Sequence, residues 1–177
     1  MLKQLHRVCI AVLLLIGTAS VIAPLQAQTL RIEELKASYI NGFIDFALWD
    51  GKVNESSATI GIIGSSQLAY HLEEIASRKL EGRKLEIIEL TTNDLDRRVD
   101  ILFVGQGYKS SWDAIASYCR KKRVMLVGDE QGIIENGATI EFVVRKNRLR
   151  FIVNEKNAKN SGLEVSSKLL ELAIERR

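Results

Sequence analysis

The sequence carries one proline, two cysteines and two histidines in 177 residues. Each scarcity excludes a class of protein. A single proline argues against a Pro-rich linker or a disordered Pro-rich segment. Of the two cysteines, Cys9 sits in an amino-terminal apolar run that is expected to be removed, which leaves Cys119 alone and unable to form an intramolecular disulfide. His6 lies in the same segment, so His71 is the one histidine left. With Glu74 it falls short of the three or four protein ligands that a zinc site needs. Neither sign of charge dominates, because 25 Lys+Arg face 22 Asp+Glu for a net charge of +3, too balanced for a nucleic-acid-binding surface. Long apolar runs are missing too, since the longest hydrophobic stretch, around Val8–Ala23, is shorter than the roughly 20 residues that span a bilayer.

What is present suits one packed domain. Hydrophobic residues make up 46% of the chain and charged ones 27%, enough for a core and a wet surface. The start carries Lys3 and Arg7 with no acid, then the apolar run Val8–Ile16, then small residues and an exit at Pro24-Leu25-Gln26-Ala27. That order predicts a secretory signal peptide over residues 1–27, cleaved near Ala27, and an exported domain over residues 28–177.

From Leu30 to Trp49, Ile32, Leu35, Tyr39, Phe43, Phe46 and Ala47 recur at three- and four-residue steps with Glu33, Glu34, Lys36 and Asn41 between them. An amphipathic helix is expected there. Ala58–Ile63 reads as a buried strand, Gly64-Ser65-Ser66 as a turn, and Gln67–Lys79 as a helix. Strands follow at Leu85–Leu90, Asp100–Gly105 and Arg123–Gly128, with a helix at Trp112–Arg120. Their rhythm predicts an α/β fold with a largely parallel sheet and helices on both faces. The last third alternates instead, Ile140, Phe142 and Val144 against Glu141 and Arg145, then Leu149, Phe151 and Val153 around Arg150. An antiparallel hairpin turning at Lys146-Asn147 is expected, as the edge or a solvent-facing extension of the sheet. Asn154 caps a short helix that Gly162 ends, and Val165, Leu169, Leu172 and Ala173 lay down a final helix.

Chemistry is sparse. Gly61 and Gly64 follow a strand, but GIIGSS lacks the spacing of a dinucleotide fingerprint and no lysine follows. No G-x-S-x-G elbow occurs. Cys119 precedes Arg120-Lys121-Lys122-Arg123, a run too short for a nucleic-acid patch. Asp129 and Glu130 follow the fourth strand, where α/β sheets keep ligand sites, though an acidic pair alone specifies nothing. The inventory favours binding over catalysis, with no cofactor or metal expected.

Several segments in order resemble the YfiR family of periplasmic regulators. They are Phe46-Ala47-Leu48-Trp49, Ile60–Ser66 (IGIIGSS), Glu81–Leu85 (EGRKL), Asp100–Val104 (DILFV), Arg148–Asn154 (RLRFIVN), Gly162-Leu163 and Val165–Ala173 (VSSKLLELA). Trp49, Phe151, Asn154, Leu169 and Leu170 carry the pattern most clearly. The resemblance implies a non-enzymatic periplasmic α/β protein that binds and represses an inner-membrane diguanylate cyclase through its sensor portion, limiting cyclic-di-GMP and biofilm formation. An outer-membrane lipoprotein as sequestering partner is implied as well, and a homodimer could form through the hairpin or the opening helix. Two positions depart from the family: Asp50 stands where a proline is usual, and Val99 where a cysteine is common. The disulfides of other members are therefore not expected. Arg145, Arg148, Arg150 and Glu141 on the hairpin are the expected partner contacts. The alternative function is a small-solute-binding or sensory module, with Gly64, Ser65 and Ser66 holding the ligand beside Gly105–Tyr108.

Overall fold

A computed structural model describes residues 31–49, 57–78 and 83–177. The expected signal segment, Asp50, Gly51 and Glu81-Gly82 lie outside the described residues. A first helix, α1, runs over residues 31–46. It is followed by strands β1 (Ala47–Trp49) and β2 (Ser57–Ile63), helix α2 (Ser66–Arg78), and strands β3 (Lys84–Glu89) and β4 (Ile101–Val104). A 3-10 turn at Lys109–Ser111 leads into α3 (Trp112–Lys122) and β5 (Met125–Gly128). The chain ends with the hairpin β6 (Ile140–Arg145) and β7 (Arg148–Val153), α4 (Glu155–Asn160), β8 (Leu163–Val165), α5 (Ser167–Leu172) and β9 (Glu175–Arg176).

Seven strands form one sheet in the order β3-β2-β4-β5-β6-β7-β9. From β3 to β6 every pairing is parallel; β7 returns antiparallel and β9 runs parallel to β7. The α/β fold with a largely parallel sheet is thus present. Strands β4 and β5 are buried throughout, as continuous apolar runs in a doubly covered sheet should be. One face carries Ile60, Ile62, Ile101, Phe103, Met125, Val127, Ile140, Phe142, Phe151 and Val153, packed under α1, α2, α4 and α5. The other carries Leu102, Val104 and Leu126 under α3, whose Ile115, Ala116 and Cys119 face inward.

The hairpin does not end the sheet as the edge reading anticipated. β6 joins β5 through Val127↔Ile140, and β9 covers β7 at Ile152 and Val153. Lys146 and Asn147 both take positive φ, 49° and 59°, so the two-residue turn has the hand that matches strand twist.

Three local expectations change. Helix α1 stops at residue 46, and Ala47–Trp49 pairs antiparallel with Leu163–Val165 as a separate two-stranded sheet. Local periodicity could not reveal a strand whose partner lies more than a hundred residues away. Val165 therefore belongs to β8, and the last helix begins after Ser166, whose hydroxyl accepts the Leu169 N–H at 3.3 Å. The buried face of α1 is also rotated. Leu35 is 43% exposed, while Glu33 and Lys36 are buried with Ala37, Ile40, Phe43 and Ile44. The buried stripe follows Ala37, Ile40, Phe43 and Ile44, with the Glu33–Lys36 ion pair at its start.

Candidate functional site

At the carboxyl ends of the parallel strands, β2 has β3 on one side and β4 on the other. This is the switch point where ligands enter doubly wound sheets. Gly64, Ser65, Gly105 and Gln106 at these strand exits line an open cleft. Gly105 donates its N–H to Ile63 O at 2.8 Å, and a Cβ at residue 105 would stand 2.7 Å from Gly64 O, so glycine is needed for the two strand exits to meet. The Tyr108 ring lies on Gly64, which takes φ +79°. Ser65 Oγ accepts the Leu68 N–H at 3.3 Å and caps α2, while Ser66 Oγ donates to Glu89 Oε2 at 2.6 Å. Gly64, Ser65, Gly105 and Tyr108 are brought together, with the Tyr108 ring packed on Gly64.

Lining the same cleft is a cluster of Glu33, Lys36 and Asp129 that sequence patterning did not bring together. Lys36 Nζ donates to Glu33 Oε1 at 2.7 Å and to Asp129 Oδ2 at the end of β5, and Ser65 Oγ donates to Glu33 Oε2 at 3.1 Å. One cluster thereby ties α1 to β5 and to the start of α2. Burial alone would weaken the lysine's hold on its proton, but Asp129 and Glu33 outweigh it and lift the Lys36 pKa above the ordinary value. Burial pushes the Asp129 carboxyl up, against the pull of Lys36. Two carboxylates share one ammonium here, and Asp129 Oδ1 is buried without a hydrogen-bond partner. The polar positions of an amphipathic helix hid the cluster from sequence reading. Asp129, placed after the fourth strand, was the one signal.

An open cleft of about 960 Å³ runs from this cluster along β6. The Gln131–Glu135 loop walls it, and Glu141, Val143, Arg145 and Ile152 line it. Glu141 is 4% exposed, and its Oε2 accepts the Ile134 N–H at 3.0 Å, so this carboxylate holds the wall loop instead of facing solvent. Asn157 Nδ2 donates to both Ile134 O and Ala138 O at 2.8 Å and ties the same loop to α4.

Cross-strand pairing sorts the hairpin's side chains. Ile140↔Val153, Phe142↔Phe151 and Val144↔Leu149 share one face, and Glu141↔Ile152, Val143↔Arg150 and Arg145↔Arg148 the other. Ile140, Phe142, Leu149, Phe151 and Val153 of the first face join the core, where Phe43 meets Phe151 edge-on at 5.2 Å, whereas Val144 near the turn is 52% exposed. The second gathers Arg145, Arg148 and Arg150, the first two exposed and the third half-buried.

The other singled-out residues have structural places. Trp49 Nε1 donates to Arg123 O at 3.1 Å. Asn154 caps α4 by accepting the Asn157 N–H at 2.9 Å, Leu169 is fully buried, and Leu170 is half-buried in α5. His71 Nδ1 lies 3.3 Å from Glu74 Oε2. Cys119 is fully buried, and burial drives its thiol pKa far up, so it is a core side chain and not a nucleophile. Among the described residues no group of three or more His, Cys, Asp or Glu could hold a metal ion, and no helix is long and apolar enough to cross a membrane.

The family model described as DUF4154, YfiR/HmsC-like, matches residues 33–174, from Glu33 of the ion cluster to the residue before β9. Among curated protein sequences none matches the chain. Two solved structures share the fold. A conserved domain protein of Vibrio cholerae O1 biovar El Tor aligns at a TM-score of 0.58 and 12% identity, covering 82% of this chain and 60% of its own. The ABC domain in complex with L-Trp from Streptococcus pneumoniae aligns at 0.51 and 14%, covering 70% and 56%. This chain thus spans under two thirds of either, and at such identities the likeness is one of fold.

Proposed function

The chain belongs to the YfiR/HmsC-like family, a family of periplasmic regulators and not of enzymes, and from that premise we propose that it binds and represses a membrane signalling protein. The target we assign is the periplasmic sensor portion of an inner-membrane diguanylate cyclase, with cyclic-di-GMP and biofilm formation as the output. Family membership over residues 33–174 is the observation that carries this reading. The chemistry agrees with it: the one cysteine after the amino-terminal segment is buried and protonated, and the one histidine there lies against a neighbouring glutamate and tyrosine ring. An outer-membrane lipoprotein that sequesters the protein, and a homodimer, complete the proposed set of partners. Residues 1–27 act in this reading as the cleaved export signal.

In vivo cross-linking followed by purification from membranes tests the proposal. The reading expects a cyclase captured by the wild-type protein. Capture of soluble proteins alone would contradict it.

The open cleft supports a second reading, a small-solute or sensory module, because a neighbour of the same fold carries L-Trp. Titration calorimetry with amino acids separates the two. Saturable one-to-one binding together with failure to capture a membrane protein would favour the second.

A further inference from the structure

Resting on the regulator reading, the structure assigns the Arg145–Arg148–Arg150 face of the hairpin as a docking surface for an acidic segment of the partner protein. The three guanidinium groups share one face of β6–β7, with Arg145 directly opposite Arg148. Like charges facing across an antiparallel pair are mutually destabilising, so the fold carries this arrangement at a loss while unbound. Lys146 at the turn is exposed and adds a fourth cation.

Several other cations among the described residues are neutralised in place. Lys36 bonds Glu33 and Asp129, Arg78 bonds Glu74, Arg83 bonds Asp45, Lys109 meets Glu130, and Arg177 meets Glu135 and Glu175. Among the described residues no carboxylate pairs with Arg145, Arg148 or Arg150. The one acid on the same face, Glu141, is buried and spent on the Ile134 N–H.

Shape and chemistry select the occupant. Arg145 lines the open cleft together with Val143 and Ile152, so a chain segment has room to lie beside it. Planar guanidinium forks match carboxylates in two-bonded geometry, which a lysine patch on a membrane surface does not require. A membrane-docking hairpin would also present aromatic side chains outward, whereas Phe142 and Phe151 point into the core.

The test uses the full exported chain and fluorescein-labelled hexaglutamate as probe, read by anisotropy at low and at physiological salt. Wild type should bind, more weakly as salt rises. The triple variant Arg145→Ala, Arg148→Ala, Arg150→Ala should bind about tenfold or more weakly. The matched control Arg120→Ala, Lys121→Ala, Lys122→Ala, which removes three cations from the end of α3, should bind as wild type does. A triple lysine version keeps the charge and should still lose several-fold if the fork geometry matters; it also stands in for the alanine variant should that one misfold. Equal losses in the hairpin and α3 variants would overturn the proposal, as they would report bulk charge. So would binding only to phosphatidylglycerol vesicles or inorganic phosphate. Because the assay contains no partner, a failed peptide titration with membrane capture intact moves the docking surface elsewhere. Intact titration with failed capture removes the cyclase reading and leaves the surface standing.

Discussion

At the scale of single residues, Lys36 decides the most. Its side chain is 8% exposed and stands between two buried carboxylates, so replacing it leaves Glu33 and Asp129 facing one another without a counter-charge. Lys36→Met should cost about 3–5 kcal/mol at neutral pH. The sign of its pH dependence follows from the raised carboxyl pKa values the variant would have. A group whose folded pKa is raised stabilises below its unfolded pKa and loses that contribution as pH rises through the folded value. The deficit against wild type should therefore shrink on acidification through the carboxylate range. Urea melts at neutral and at acidic pH measure this, and a small deficit that ignores pH would contradict it. Phe151 supplies a second residue-scale expectation. Its ring is 1% exposed and meets both Phe43 and Tyr39 edge-on. Phe151→Ala should cost roughly 3–5 kcal/mol in the same melts, whereas Arg150→Glu, half-buried on the opposite face, should leave the midpoint nearly unchanged.

At the scale of elements, the loop between β5 and β6 depends on a side chain outside it. Asn157 on α4 donates to Ile134 O and Ala138 O, so Asn157→Ala leaves two carbonyls without that donor at a cost of about 1–3 kcal/mol. Amide exchange over residues 131–138 should speed up, and unchanged exchange would show that the loop is held by Glu141 alone. The elements themselves were mostly legible in the sequence. Apolar runs gave β2 to β5, alternation gave the hairpin and its faces, and Asn154 announced α4. What stayed hidden was non-local. β1 and β8 are three residues each and exist because they pair with each other, and β9 is two residues held against the end of β7. The cluster of Glu33, Lys36 and Asp129 escaped for a related reason. Charged residues on an amphipathic helix read as its wet side, and only the tertiary fold brings Asp129 across to neutralise the lysine.

At the scale of the molecule, the parts divide the work. One ion cluster locks α1 over the carboxyl end of the sheet, Tyr108 packs on Gly64 beside the open cleft there, and three arginines without a carboxylate partner gather on one face of the hairpin. That distribution suits a protein that acts by contact, and family membership makes the contact a regulatory one. The direct test is the cyclic-di-GMP content of cells lacking the protein, complemented with wild type or with Arg150→Glu at matched periplasmic levels. The account predicts a rise on deletion, restoration by wild type, and no restoration by Arg150→Glu even though the variant is folded. Unchanged cyclic-di-GMP on deletion would contradict repression of a cyclase, and full restoration by Arg150→Glu would contradict the arginine face as its means.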